Sequence, residues 1–158
     1  MIRQSPEMRL LTDLLAESFQ SKAWHGSNLR GSLRGLTARQ ASRRPGSRRH
    51  SIWEIAVHCA YWKYIVLRRI TGEKKGSFYR KGSNWLSVGK TRQEWKKDVS
   101  MLRTYHERLI KAVRSMKSSD LHKTPKGSTV STAAILRGIA SHDVYHAGQI
   151  QLIKRLIH

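Results

Sequence analysis

Ala134-Ile135-Leu136-Arg137-Gly138-Ile139-Ala140-Ser141-His142-Asp143-Val144-Tyr145-His146-Ala147-Gly148-Gln149-Ile150 is the stretch whose reading decides the fold. With a helical period, Ile135, Ile139, His142, His146, Gln149/Ile150 and Ile153 fall on one stripe, with spacings of three and four. A helix buries such a stripe, so two imidazoles one turn apart point inward. A buried polar ring needs a partner. A backbone carbonyl would serve each ring singly, and a divalent metal would serve both at once. Chance alone gives roughly 0.4 His pairs at this spacing for 8 His in 158 residues, so spacing leaves both readings open.

A chain of this length fits one domain, residues 1–158, with one sizeable core. No apolar run approaches a membrane span, which excludes an integral membrane protein of the helical kind. Arg3, Glu7, Arg9 and Asp13 interrupt Met1 to Leu15, so that segment is no signal peptide. Cys59 is the single cysteine, which excludes internal disulfides and fits a reducing, cytoplasmic setting. It lies in an apolar run and reads as a buried, inert thiol. The charge is unusual: 31 Lys+Arg against 10 Asp+Glu, a formal +21. Such an excess attracts nucleic acid and acidic small molecules nonspecifically. The basic residues come as dispersed pairs, Arg43/Arg44/Arg48/Arg49, Arg68/Arg69, Lys74/Lys75, Arg80/Lys81 and Lys96/Lys97, which reads as solvated faces rather than one binding stripe.

Ser5-Pro6-Glu7 reads as an N-cap with proline at the first helical position. Leu10, Leu11, Leu14, Leu15 and Phe19 follow on one face, and Leu29, Leu33 and Leu36 carry the stripe on, predicting a first helix over 6–35 with a continuation or kink at Gly26. Thr37 to His50, with Pro45-Gly46, reads as a loop. Ser51-Ile52-Trp53-Glu54 is a capping box that opens a second helix over 51–71, stopped by Thr71-Gly72. Its row Ile55, His58, Trp62, Ile65 carries a third inward histidine, which taken singly reads as a core residue. Gly72 to Lys90 has no period and includes Phe78, Tyr79, Asn84 and Trp85. It suits a lid or site wall, and equally a crossover joining two parallel helices. Thr91-Arg92-Gln93-Glu94 opens a third helix over 91–117, with the stripe Trp95, Val99, Leu102, His106, Leu109, Val113, Met116. His106 stands alone there among apolar neighbours and is a weaker ligand candidate than His58. Ser131 or Thr132 caps a fourth helix over 131–157. With no convincing strand alternation, the fold class is all-α: a four-helix bundle with a long crossover between helices two and three.

Several stretches resemble the DinB/YfiT-like family in order along nearly the whole chain. They are Ala23-Trp24-His25-Gly26, His50-Ser51-Ile52-Trp53-Glu54-Ile55-Ala56-Val57-His58 with Tyr61-Trp62-Lys63, Ser83-Asn84-Trp85, and His142 to Ile150. The resemblance implies a four-helix bundle with a divalent metal held by three histidines, one on helix two and two on helix four. Residue by residue these are His58, His142 and His146. It also implies a thiol-dependent transferase, an isomerase or a hydrolase, and the possibility of a homodimer.

Three imidazoles leave coordination positions open, as a catalytic site requires. Such a metal would lower the pKa of a bound water or thiol. Imidazole suits zinc, nickel, copper and iron alike, so the ligand set does not fix the ion; zinc or nickel is the expectation, with iron or manganese also compatible. His142-Asp143-x-x-His146 is also similar to a zinc-peptidase helix with Asp143 in the place of the catalytic base. However, aspartate is one methylene shorter, and no acidic residue follows His146 to serve as third ligand. Asp143 is therefore read as a base, as a group orienting a ligand or as a plain solvated residue, and Glu54 as a cap that could also orient His58. A metal-dependent transferase or hydrolase, a metal-binding bundle without catalysis, and a basic nucleic-acid-associated protein are the three competing functions. For the first, an anionic substrate such as a carboxylate-bearing low-molecular-weight thiol would be drawn in by Arg48/Arg49 and Arg80/Lys81.

Overall fold

Each long helix begins where its sequence caps it. A computed structural model describes residues 5–74, 76 and 78–157; Lys75 of the Lys74/Lys75 pair and residues 1–4 of the N-terminal segment lie outside them. The Ser5 hydroxyl accepts from the Met8 amide (3.2 Å) and opens α1, Pro6–Phe19. In the Ser51 box, the Glu54 amide donates to Ser51 Oγ (3.2 Å) and the Ser51 amide to Glu54 Oε2 (2.8 Å). The Thr91–Glu94 box repeats this, and Ser131 Oγ accepts from Ala134 (3.3 Å). These three caps open α4 (Ile52–Thr71), α5 (Arg92–Ser115) and α6 (Thr132–Leu156). Gly72, at φ 70°, supplies the left-handed residue that ends α4.

The predicted first helix over 6–35 is corrected: it ends at Phe19. The chain then turns through Gly26 (φ 100°) and restarts under Asn28, whose Oδ1 accepts from the Gly31 amide at 2.8 Å. This makes the short α2, Leu29–Ser32, and a Thr37–Gln40 capping box makes α3, Ala38–Ser42. Leu29 and Leu33 are buried all the same, so the apolar stripe survives a broken helix.

Helices α4 and α5 are parallel. Trp53 near the start of α4 meets Trp95 and Asp98 near the start of α5, Lys63 meets His106, and Glu73 beyond α4 pairs with Arg108. Helix α6 is antiparallel to α4: Trp53 shares one core cluster with Ile150 and Ile157, whereas Val66 shares the other with Ile135 and Ile139. The expected bundle with its long crossover is what the structure shows. Among the described residues the crossover carries one strand pairing, a ribbon of β1 (Gly82–Ser83) and β2 (Trp85–Leu86), too short to show alternation. Asn84 forms its tip at φ 62°, a conformation asparagine tolerates better than most side chains. Arg80 fastens the crossover to α5: its Nη2 and Nε donate to Asp98 at 2.7 and 3.1 Å, and Trp53 Nε1 donates to the same fully buried carboxylate at 2.7 Å. No helix among the described residues is long and apolar enough to cross a membrane.

Candidate metal centre

The stripe on α6 lies inward as its spacing requires. His146 is 4% exposed, His58 on α4 is 5% exposed, and His142 is half-buried. Their rings converge: His58 Nε2 and His146 Nε2 lie 3.0 and 3.1 Å from His142 Nε2, and all three nitrogens fall within 4.8 Å of one another.

The outer nitrogens fix the tautomers. His58 Nδ1 donates to the Asn84 carbonyl (2.7 Å), and His146 Nδ1 donates to Gln149 Oε1 (2.7 Å). With their protons committed there, Nε2 of both rings is a bare lone pair. His142 Nε2 has at most one proton to set between two bare nitrogens, so one close contact stays unsatisfied. A cation at the centre satisfies all three lone pairs. The residues therefore fit a metal ion, and among the described residues they form a buried three-histidine group that could hold one.

Electrostatics favour the neutral, ligating form. Burial lowers His58 despite its bond to Asn84. Burial, with the neighbouring rings and Lys63, lowers His142 to about 3, and burial lowers His146 to about 4. All three rings are therefore uncharged at neutral pH.

The crossover walls the centre. Trp85 stacks on His58 (4.1 Å between ring centres, 11°) and on its other face against His50 (3.5 Å, 7°). The Asn84 side chain accepts from Trp62 Nε1 at 2.9 Å while its backbone carbonyl holds His58. The lid-or-wall and crossover readings of this segment thus hold together.

Asp143 does not join the three rings. It is fully buried and accepts a charged hydrogen bond from Lys63 Nζ, itself fully buried on α4. Burial pushes its carboxyl up to about 6, opposed by Lys63, and its Oδ1 has no hydrogen-bond partner. Lys63 Nζ also lies 3.4 Å from His106 Nδ1. His106 is fully buried, stacks on Phe19 at 4.0 Å, and is lowered to about 2 by burial and then by Lys63. This polar trio sits at the boundary of the two core clusters, between Ala60 and Val66, Leu102 and Leu109, and Ala140 and Ala147. Cys59 is buried, and its thiol is pushed well up by burial, as an inert thiol should be.

Glu54 spends its oxygens on Ser51, Arg44 and His50 (3.6 Å), none on His58. Arg80, expected at the rim, is instead held by Asp98, while Arg48, Arg49 and Lys81 are exposed. His25 is exposed in the turn after α1. Sequence reasoning quoted Lys63 only within Tyr61-Trp62-Lys63 and missed its burial against Asp143, as it missed the roles of Asn84 and Gln149. Gln149 had a signal: it lies three residues after His146 on the same stripe.

A family model described as the DinB superfamily matches residues 23–150. Comparison with curated proteins and with solved structures finds no match for the chain.

Proposed function

The chain belongs to the DinB superfamily, and on that premise we propose that it is a metal-dependent enzyme, a thiol-dependent transferase or a hydrolase, whose divalent ion is held by Nε2 of His58, His142 and His146. The observation that carries this reading is the convergence of three neutral imidazoles whose outer nitrogens are already bonded or buried. An ion bound by three protein nitrogens leaves positions for a water or a thiol and lowers the pKa of whichever it takes. Zinc or nickel is the expected ion, with iron or manganese compatible.

The chain's own residues do the rest. Asn84 and Gln149 keep the Nδ1 protons of His58 and His146 and so aim Nε2 of each inward. The Lys63–Asp143 pair ties α4 to α6 beside His142, which sets the facing of His58 toward the other two rings. Asp143 is thus a positioning residue; sealed in the core, it cannot reach a substrate as a base. Trp85 excludes water from one face of His58. Exposed Arg48, Arg49 and Lys81 flank His50 and the Trp85 ribbon in sequence and would draw in an anionic thiol substrate, an attraction screened over about 8–10 Å at moderate salt.

Metal analysis of the purified protein tests the ion: about one divalent metal per chain is expected, and His142→Ala should lose it. Stoichiometric metal in the triple His→Ala variant would overturn the assignment. A screen of thiol transfer and hydrolysis with and without EDTA tests catalysis: turnover that survives metal removal would exclude metal-dependent chemistry, and no turnover in the metal-loaded protein would exclude the enzyme reading.

A further inference from the structure

The metal centre leaves most of the +21 charge unused. Between α5 and the α2–α3 segment lie three adjoining hollows of about 340, 590 and 870 Å³. The first two share Arg30, Leu33 and Val99, and the first and third share Leu36, Trp95 and Lys96, so they form one continuous groove. Arg30, Arg34 and Arg39 rise from the α2–α3 side, and Lys90, Arg92 and Lys96 from the α5 side, all exposed. No aspartate or glutamate lines any of the three hollows. Among the described residues none of the six cations is in an ion pair, whereas Arg103, a seventh farther along α5, lies 3.7 Å from Glu107. The nearest carboxylates on α5 are engaged elsewhere: Asp98 holds Arg80, and Glu94 caps the helix and faces Arg80.

Basic residues dispersed along the sequence are thereby gathered on two facing walls over an apolar floor of Leu33, Leu36 and Val99. A phosphodiester carries one negative charge and neutralises one cation, so six cations facing each other suit a ligand with repeated negative charge. The apolar floor requires that ligand to carry uncharged, flat or aliphatic parts between its charges. Arg92 to Arg103 spans about 16 Å of helix, room for several repeats. We propose that this groove binds single-stranded nucleic acid through its phosphates. A strand lying in the concavity is reached from both walls, whereas a duplex would touch the rims alone. Trp95 is 5% exposed and its indole N–H is given to the Leu36 carbonyl (3.0 Å), so it offers no stacking platform. Recognition is therefore by backbone, tolerant of sequence and steep in salt, with log K falling by about 0.7 per neutralised phosphate for each decade of salt. Six contacts give a slope near −4 by the same relation.

The test is anisotropy of a fluorescein-labelled single-stranded 12-mer titrated with the full chain at several salt concentrations, with and without EDTA. Arg34→Gln/Arg39→Gln/Lys96→Gln should weaken binding at least tenfold and reduce the slope by about 2, and Arg34→Gln alone should reduce it by about 0.7. Arg69→Gln/Lys74→Gln/Lys126→Gln removes the same charge from a second basic hollow, at the C-terminal end of α4, and should change affinity less than threefold. EDTA should change nothing, and a duplex of the same sequence should bind more weakly. Equal losses in the two triple variants would show that net charge alone attracts the strand and would overturn the groove, as would tighter binding of the duplex.

Discussion

Replacing Lys63 by methionine keeps an aliphatic stem of similar length and removes the ammonium from a pair whose side chains are both fully buried. Asp143 Oδ2 then loses its partner while Oδ1 already has none. Removing one member of a buried ion pair costs about 3–5 kcal/mol, because the other charge stays behind. The pH dependence identifies the origin of that cost. Burial raises the Asp143 carboxyl from 3.8 to about 6 against the pull of Lys63, so without Lys63 it rises further. A carboxyl that holds its proton more tightly folded than unfolded contributes stability that is present below the unfolded value and lost as pH rises through the folded one. In the parent this loss ends a little above pH 6; in the variant it continues through neutrality at about 1.4 kcal/mol per pH unit. Urea unfolding followed by circular dichroism at pH 6, 7 and 8, with EDTA present, should show the gap between parent and variant widening with pH. Lys63→Met/Asp143→Leu should recover most of the loss and flatten the gap. A gap independent of pH, or a double variant no more stable than the single one, would refute the reasoning.

Asn84→Gly keeps the left-handed tip and the carbonyl to His58, so metal affinity measured against a chromophoric chelator should fall less than tenfold. Asn84→Val, β-branched at φ 62°, should displace that carbonyl and cost about 10–100-fold. Arg80→Gln leaves Asp98 buried with Trp53 as its remaining partner and should cost about 3 kcal/mol, with faster amide exchange across 82–86. Without metal, acid should unfold the protein early. His106 and His146 are buried neutral with lowered values, so stability present above 6.5 is lost as pH falls, at about 1.4 kcal/mol per pH unit for each ring. Urea midpoints that stay constant between pH 6.5 and 5 would contradict that neutral burial.

The inward placing of His58, His142 and His146 and the bundle were legible because both depend on periodicity, and an inward histidine keeps its place on a stripe whatever it binds. The extent of the first helix was not. Leu29 and Leu33 keep the spacing of a continuing stripe because they pack on the same core, and the break was written in Asn28 and Gly26 rather than in the apolar residues. Arg80 read as a rim cation because its partner, Asp98, looks from sequence like one more polar residue on α5, although it lies three positions after Trp95 on the inner side. The Lys63–Asp143 pair joins positions 80 residues apart, and no local pattern signals it. The groove likewise exists only once α2 and α3 lie against α5; in sequence its cations are isolated.

The centre spans the chain as widely as it spans the bundle. His58 meets His142 across 84 residues, and its Nδ1 partner comes from a loop 26 residues on. Closing a loop that long is slow compared with forming any single helix, and each pairing depends on the parallel crossover being in place. A half-folded chain therefore offers an ion at most the His142–His146 pair on one helix, a weak chelate. Under the proposed function, capture of the ion would be a timing signal for the last tertiary step: in stopped-flow refolding, metal uptake should lag the recovery of helical signal, and the ion should slow unfolding far more than it speeds folding.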